Sequence, residues 1–156
     1  MARLRSIRRL LRRFGQIGWG RRALVAEAVL GLLAARVTLA VVPFPNLARR
    51  LGRFVPPLEA RRLGTAASAE AARTAAEIGW AVTRAARYVP FKAVCLPQAI
   101  AAQAMLRRRG VASVMHFGAA RGADAALDAH AWLDAAGVEV TGFPVSENFA
   151  EIACFV

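Results

Sequence analysis

The hydrophobic pattern of this chain changes period once, at Gly110, and that change limits the folds open to it. Before Gly110, apolar side chains recur at helical spacing. Arg22 to Val42 is a run rich in Ala and Leu that Pro43 stops, and a short basic helix is expected around Leu47 to Gly52. Pro56 and Pro57 mark a break, and Leu58 to Tyr88 is an Ala-rich helical stretch ended by Pro90. Past Gly110 the pattern shortens to β-leaning runs at Val111 to Gly118, His130 to Asp134, Val138 to Thr141 and Ile152 to Val156. Ala135-Ala136-Gly137 reads as a hairpin turn between two of them. Helices followed by antiparallel strands specify an α+β domain. A length of 156 residues, 57 % of them hydrophobic, suffices for one compact core and excludes a multidomain enzyme.

The best-defined helix runs from Cys95 to Gly110. Pro97 suits its first turn, Arg107 to Arg109 suit the negative end of its dipole, and Gly110 suits the cap beyond it. Its middle is apolar on nearly every side, so it should be central and packed on the sheet. Cys95 therefore stands where unpaired backbone N–H groups and the helix dipole favour negative charge. The same N–H groups could receive the oxyanion formed when a thiolate attacks an amide carbonyl.

A nucleophilic thiol needs a base, and the chain has two histidines. His130 lies in the alternating run Asp128 to Asp134, which puts His130, Trp132 and Asp134 on one face of a strand. A hairpin strand crossing the front of the Cys95 helix would bring it to the thiol. His116, in Val114-Met115-His116-Phe117-Gly118, reads as a core or edge histidine.

Charge is unevenly distributed. Lys and Arg number 22 against 10 Asp and Glu, and residues 1 to 62 hold fourteen Arg beside only Glu27 and Glu59. Met1 to Trp19 reads as a basic amphipathic helix interrupted by Gly18 and Gly20. Such a face suits an acidic partner, an anionic membrane or plain solvent. No aromatic interleaving or nucleic-acid motif accompanies it, so specific nucleic-acid recognition is not expected. The stretch from Ala23 to Phe44 is long enough to span a bilayer, but Glu27 and Arg36 interrupt it, which favours an amphipathic helical pair. Cys95 and Cys154 lack the spacing of a metal site or a disulfide framework. With no cleavable secretory signal the expected address is the cytoplasm, with peripheral membrane association as an addition and both thiols reduced. No Walker-type loop and no cofactor motif occurs.

Cys95-Leu96-Pro97-Gln98-Ala99, Leu106 to Gly110, Phe117-Gly118, Ala129-His130-Ala131-Trp132 and Gly137, in this order and spacing, resemble the cysteine-peptidase domain of lasso-peptide biosynthesis B proteins. These are members of the transglutaminase-like superfamily. Glu27-Ala28, Ala35-Arg36, Pro43-Phe44 and Leu51-Gly52 continue the resemblance upstream, so that it covers most of residues 20 to 156. It implies a papain-like core over residues 58–156, with a basic helical region over 1–57 of which 20–57 joins the same unit. It implies removal of the leader from a ribosomally made lasso precursor, with Cys95 as nucleophile and His130 as base. The freed amine would be closed into a macrolactam by an asparagine-synthetase-like cyclase. The first 90 residues lack the strands of a winged-helix module, which implies a separate protein for leader recognition.

In many relatives an Asp roughly a dozen residues after the His orients the imidazole. Here that place reads Thr141-Gly142. A Thr141 hydroxyl, a backbone carbonyl, or Asp134, Glu147 or Asn148 could take over, or the enzyme could work as a dyad. Gln98 and Trp132 are further candidates for orienting the base or holding the oxyanion. A catalytically silent scaffold of the same complex, and a basic membrane- or nucleic-acid-binding protein, are the competing readings.

Overall fold

The computed structural model describes residues 18–62, 67–121 and 127–156. The basic helix expected over Met1 to Trp19 lies outside them except for its last two residues. Gly20, expected as an interruption, falls in the first turn of α1 (Trp19–Val41). This helix buries Val25, Ala28, Leu32 and Ala35, one stripe at helical spacing. Gly31 lets it lie close on the helix that starts at Cys95, since a Cβ there would sit 3.3 Å from the Ala101 side chain. The opposite face leaves Leu30, Leu33, Val37 and Val41 exposed. By length and composition α1 could cross a membrane, with a mean hydropathy of 2.0 over its most apolar window.

Glu27 sits on α1 where the arginines that end the central helix can reach it. Arg108 Nη2 donates to Glu27 Oε1 at 2.7 Å and Arg109 Nη2 to Oε2 at 2.6 Å. The hydrogen bond from Arg109 and, against the opposing effect of burial, that from Arg108 hold the Glu27 carboxyl down at about 2. Its contribution to stability is therefore present above the ordinary value of 4.5 and lost as pH falls towards 2. Glu27→Gln should cost about 1–2 kcal/mol at neutral pH, allowing for solvent screening. Urea unfolding of parent and variant should show that difference shrinking as pH falls below 4.5.

Pro43 turns the chain into α2 (Phe44–Leu51), followed by the two-residue strand β1 (Phe54–Val55) and α3 (Pro57–Arg62). The single stretch expected from Leu58 to Tyr88 is in fact two helices. The second, α4 (Ala69–Ala85), begins at Ser68, whose Oγ accepts the Ala71 N–H at 3.1 Å. Its residue Gly79 lies so close to the sheet that a Cβ would come within 2.6 Å of the Val140 carbonyl oxygen. The central helix, α5 (Cys95–Arg107), packs between α1, α4 and the sheet.

Four longer strands complete the fold: β2 (Val114–Arg121), β3 (Leu127–Ala135), β4 (Val138–Thr141) and β5 (Ala150–Phe155). The sheet order is β1-β5-β2-β3-β4 and every pair is antiparallel. The β3–β4 turn is the expected one, with Ala136 and Gly137 both at positive φ, 54° and 74°. The molecule is thus α+β, helices packed on a small antiparallel sheet. Met115, Leu133 and Phe155 face the helices and share one core with Leu32, Leu47, Ile78, Val82, Met105 and Leu106. His116, Trp132 and Cys154 stand on alternate positions and face the other way.

The connection from α5 to β2 sets the geometry of the rest. Val111 N–H bonds back to Leu106, and Arg107 Nη1 donates to the Arg50 carbonyl at 2.7 Å, which ties down the helix C-terminus where β2 begins. A 13-residue helix is about 20 Å long, the length of about six strand residues. Doubling back from there, the helix packs over β3 and β4.

Candidate active site

Cys95 is the first residue of α5, half-buried, on the same stripe as the buried Ala99, Ala102 and Leu106. The turn before it is braced by Gln98, whose Nε2 donates to the Ala93 carbonyl at 2.6 Å. One N–H of Gln98 is therefore spent on shaping the loop that presents the thiol. No hydrogen bond joins Cys95 to His130 among the described residues. Contacts of this kind commonly tighten only when substrate is bound.

His130 sits on β3, half-buried, in a column of rings. Its imidazole stacks on Trp132 with centroids 5.8 Å apart and lies 5.3 Å from the Phe149 ring. Trp132 has its other neighbour in His116, at 5.4 Å with planes within 1° of parallel. The indole lies across β2 at Gly118, where a Cβ would come within 2.8 Å of the ring. Trp132 thus fixes the plane of both histidines and separates them.

The orientation of His130 comes from the backbone. Its Nε2 lies 2.7 Å from the Gly142 carbonyl oxygen, which can only accept, so the ring nitrogen donates. In a neutral ring that assignment leaves Nδ1 as an acceptor. Among the described residues Nδ1 has no other partner; the ring shares the strand face of Trp132, opposite the one that Met115, Leu133 and Phe155 turn to the helices, and makes no contact with Cys95. Of the alternatives left by the missing carboxylate, the contact observed is the carbonyl. Asp134 is engaged elsewhere, and no hydrogen bond from Glu147 or Asn148 reaches His130 among the described residues.

Gly142 can make this contact because it has no side chain. Its φ is +83°, and a Cβ would fall 2.5 Å from the Ala131 oxygen and 2.8 Å from Trp132 Cα. Thr141, next to it, is buried, and its hydroxyl has no hydrogen-bond partner among the described residues. Thr141→Val should accordingly leave stability unchanged or raise it by up to about 1 kcal/mol, measured by urea unfolding, since it removes an unmet polar group. Activity lost without loss of stability would instead give the hydroxyl a role with bound substrate.

A second constellation went unread in the sequence. In the β2–β5 ladder His116 stands opposite Cys154. The thiol is 3.4 Å from His116 Nδ1 and 3.1 Å from Glu151 Oε1, and Glu151 also contacts Nδ1 directly. On the far side of the ring, His116 Nε2 lies 2.8 Å from Asp134 Oδ2. Burial pulls the His116 pKa down, but hydrogen bonds to Asp134 and Glu151 outweigh it, and the net shift is upward. Cys154 is 0 % exposed, under Val55 and Ala60, which denies it to a polypeptide substrate. Only the strand register could have shown this cluster, because its members are 35 and 38 residues from His116.

A family model for the transglutaminase-like superfamily matches residues 38–154, which include all of the residues above. No curated protein and no solved structure matches the chain.

Proposed function

The chain belongs to the transglutaminase-like superfamily, and from that premise we propose that it is a cysteine peptidase that removes the leader from a ribosomally made lasso-peptide precursor. Cys95 is the nucleophile and His130 the base. The observation that carries the reading is the 2.7 Å contact of His130 Nε2 with the Gly142 carbonyl, because it holds the imidazole in the tautomer that can take a proton on Nδ1. The carbonyl does there what a carboxylate does in a complete triad, without its negative charge.

In the proposed reaction Nδ1 takes the Cys95 proton as sulfur attacks the scissile carbonyl. The backbone N–H groups at the start of α5 receive the oxyanion. Collapse of the tetrahedral intermediate breaks the C–N bond, and the imidazolium returns the proton to the leaving amine. That amine is the new N-terminus of the core peptide, the group a partner cyclase of the asparagine-synthetase type would use. Water, activated by the same imidazole, then hydrolyses the thioester and frees Cys95 with the leader. A separate leader-recognition protein completes the assembly, with the basic N-terminal segment as its docking element. The proposed location is the cytoplasm. The exposed apolar face of α1 offers contact with a membrane surface.

The test is mass spectrometry of precursor incubated with recognition protein and enzyme, parent against Cys95→Ala and His130→Ala. A second reading, a silent scaffold of the same complex, is favoured by the missing carboxylate at Thr141-Gly142 and by the lack of a hydrogen bond between Cys95 and His130. It requires both substitutions to leave product formation intact.

A further inference from the structure

The cluster around His116 belongs to neither step of the proposed chemistry, and its donor set has a chemistry of its own. His116 Nδ1, Cys154 Sγ and a Glu151 carboxylate oxygen all lie within 4.8 Å of one another. Tetrahedral zinc, bonded to sulfur at about 2.3 Å and to nitrogen or oxygen at about 2.0–2.2 Å, holds its ligand atoms about 3.3–3.6 Å apart. The Sγ–Nδ1 separation of 3.4 Å matches an edge of such a tetrahedron, the Sγ–Oε1 separation of 3.1 Å falls short of one, and Glu151 and His116 Nδ1 touch directly, so the Glu151 carboxylate must draw back from the ring to admit an ion. One thiolate, one imidazole and one carboxylate select a borderline-soft divalent ion over Mg²⁺ or Ca²⁺, which take oxygen ligands.

The surroundings are arranged as metal sites arrange theirs. Asp134 Oδ2, 2.8 Å from Nε2, accepts that N–H and so turns the Nδ1 lone pair towards Cys154 and Glu151. Trp132 stacks on the ring and stops it rotating. Val55, Ala60, Val114 and Val156 pack around the sulfur and keep its environment apolar. Asp134, whose side chain is 42 % exposed, stands at the solvent side of the cluster.

We propose that His116 Nδ1, Cys154 Sγ and Glu151 Oε1 bind one divalent ion of the zinc class, with Asp134 as the outer support of the histidine and water in the fourth position. Binding releases the thiol proton and whichever proton sits on Nδ1, while Nε2–H stays on Asp134. With two anionic ligands the bound dication is neutralised, as a site this deep requires. The ion clips β2 to β5 on the face of the sheet away from α5, so its effect is on the rigidity of the strands. The inference does not rest on the peptidase reading, because none of these residues acts in that reaction.

Cobalt is the probe, since a thiolate ligand to Co²⁺ gives a near-ultraviolet charge-transfer band. The full-length protein, stripped with chelator and kept reduced by a phosphine, should bind one equivalent of Co²⁺ with that band and with tetrahedral visible bands, and its melting temperature should rise. Cys95→Ser should leave the spectrum unchanged, and Cys154→Ser should abolish it. Asp134→Asn, at a partly exposed side chain, should fold normally and weaken Co²⁺ binding about 10–100-fold while keeping the band. Absence of a stoichiometric band in the parent would overturn the site. So would a band that disappears with Cys95 and survives loss of Cys154, or an Asp134→Asn protein that binds Co²⁺ as tightly as the parent.

Discussion

Cys95→Ala should reduce precursor cleavage by at least about a thousandfold, while Cys154→Ala in the same assay leaves the rate within about threefold of the parent. The chain has two cysteines, and their surroundings differ. Cys95 is half-buried at a helix start, with the helix N–H groups beside it. Cys154 is wholly buried in the middle of a ladder and hydrogen-bonded to Glu151. A polypeptide carbonyl can approach the first and not the second. His130→Ala should cost about 10²–10⁴-fold, the range for removing a general acid–base, and His116→Ala should act mainly through stability. Rates from mass spectrometry, with circular dichroism to show that each variant is folded, check all four. Full cleavage by Cys95→Ala together with its loss in a folded Cys154→Ala would transfer the chemistry to the second cluster.

Gly142→Asp, which puts a carboxylate about a dozen residues after His130, should damage this protein instead of completing a triad. A side chain at φ +83° is strained by about 1–3 kcal/mol. Its Cβ would in addition meet the Ala131 oxygen at 2.5 Å and Trp132 Cα at 2.8 Å, backbone atoms that cannot swing aside. The segment must retreat from β3, and the carbonyl that holds His130 goes with it. The expected result is a loss of stability of about 2–4 kcal/mol in urea unfolding and a fall in cleavage of the order of a hundredfold. Gly142→Ala should lose nearly as much, because the damage comes from Cβ and not from the carboxylate. A Gly142→Asp protein that is stable and faster than the parent would show that the carbonyl is only a placeholder.

These outcomes rest on features that differ in how far the chain displays them. The limits of β4, Val138–Thr141, coincide with the expected run, because a two-residue turn opens the strand and Gly142, at positive φ, ends it, both local signals. The central helix was likewise visible, through Pro97 in its first turn and the arginines at its end. β1 was not visible. Two residues carry no period, and Phe54 and Val55 are strand only because the edge of β5 is there to bond them. Leu58 to Tyr88 shows no boundary in its sequence because Ala supports a helix everywhere; the cap at Ser68 decides where the second helix begins.

The candidate site divides along the same line. Local sequence determined that a cysteine would open the central helix and that His130 and Trp132 would share a strand face, since capping and alternation act within a few residues. The orientation of His130 was beyond it. A carbonyl has no residue signature, and its delivery depends on how closely β4 and its exit can approach β3. The meeting of His116, Glu151 and Cys154 was equally out of reach, because a strand's register is set by the faces its neighbours bury. Sequence by itself therefore determined which groups are present and on which elements. Tertiary structure decided which of them touch, because the contacts that orient one histidine and surround the other are made across the sheet between residues far apart in the chain.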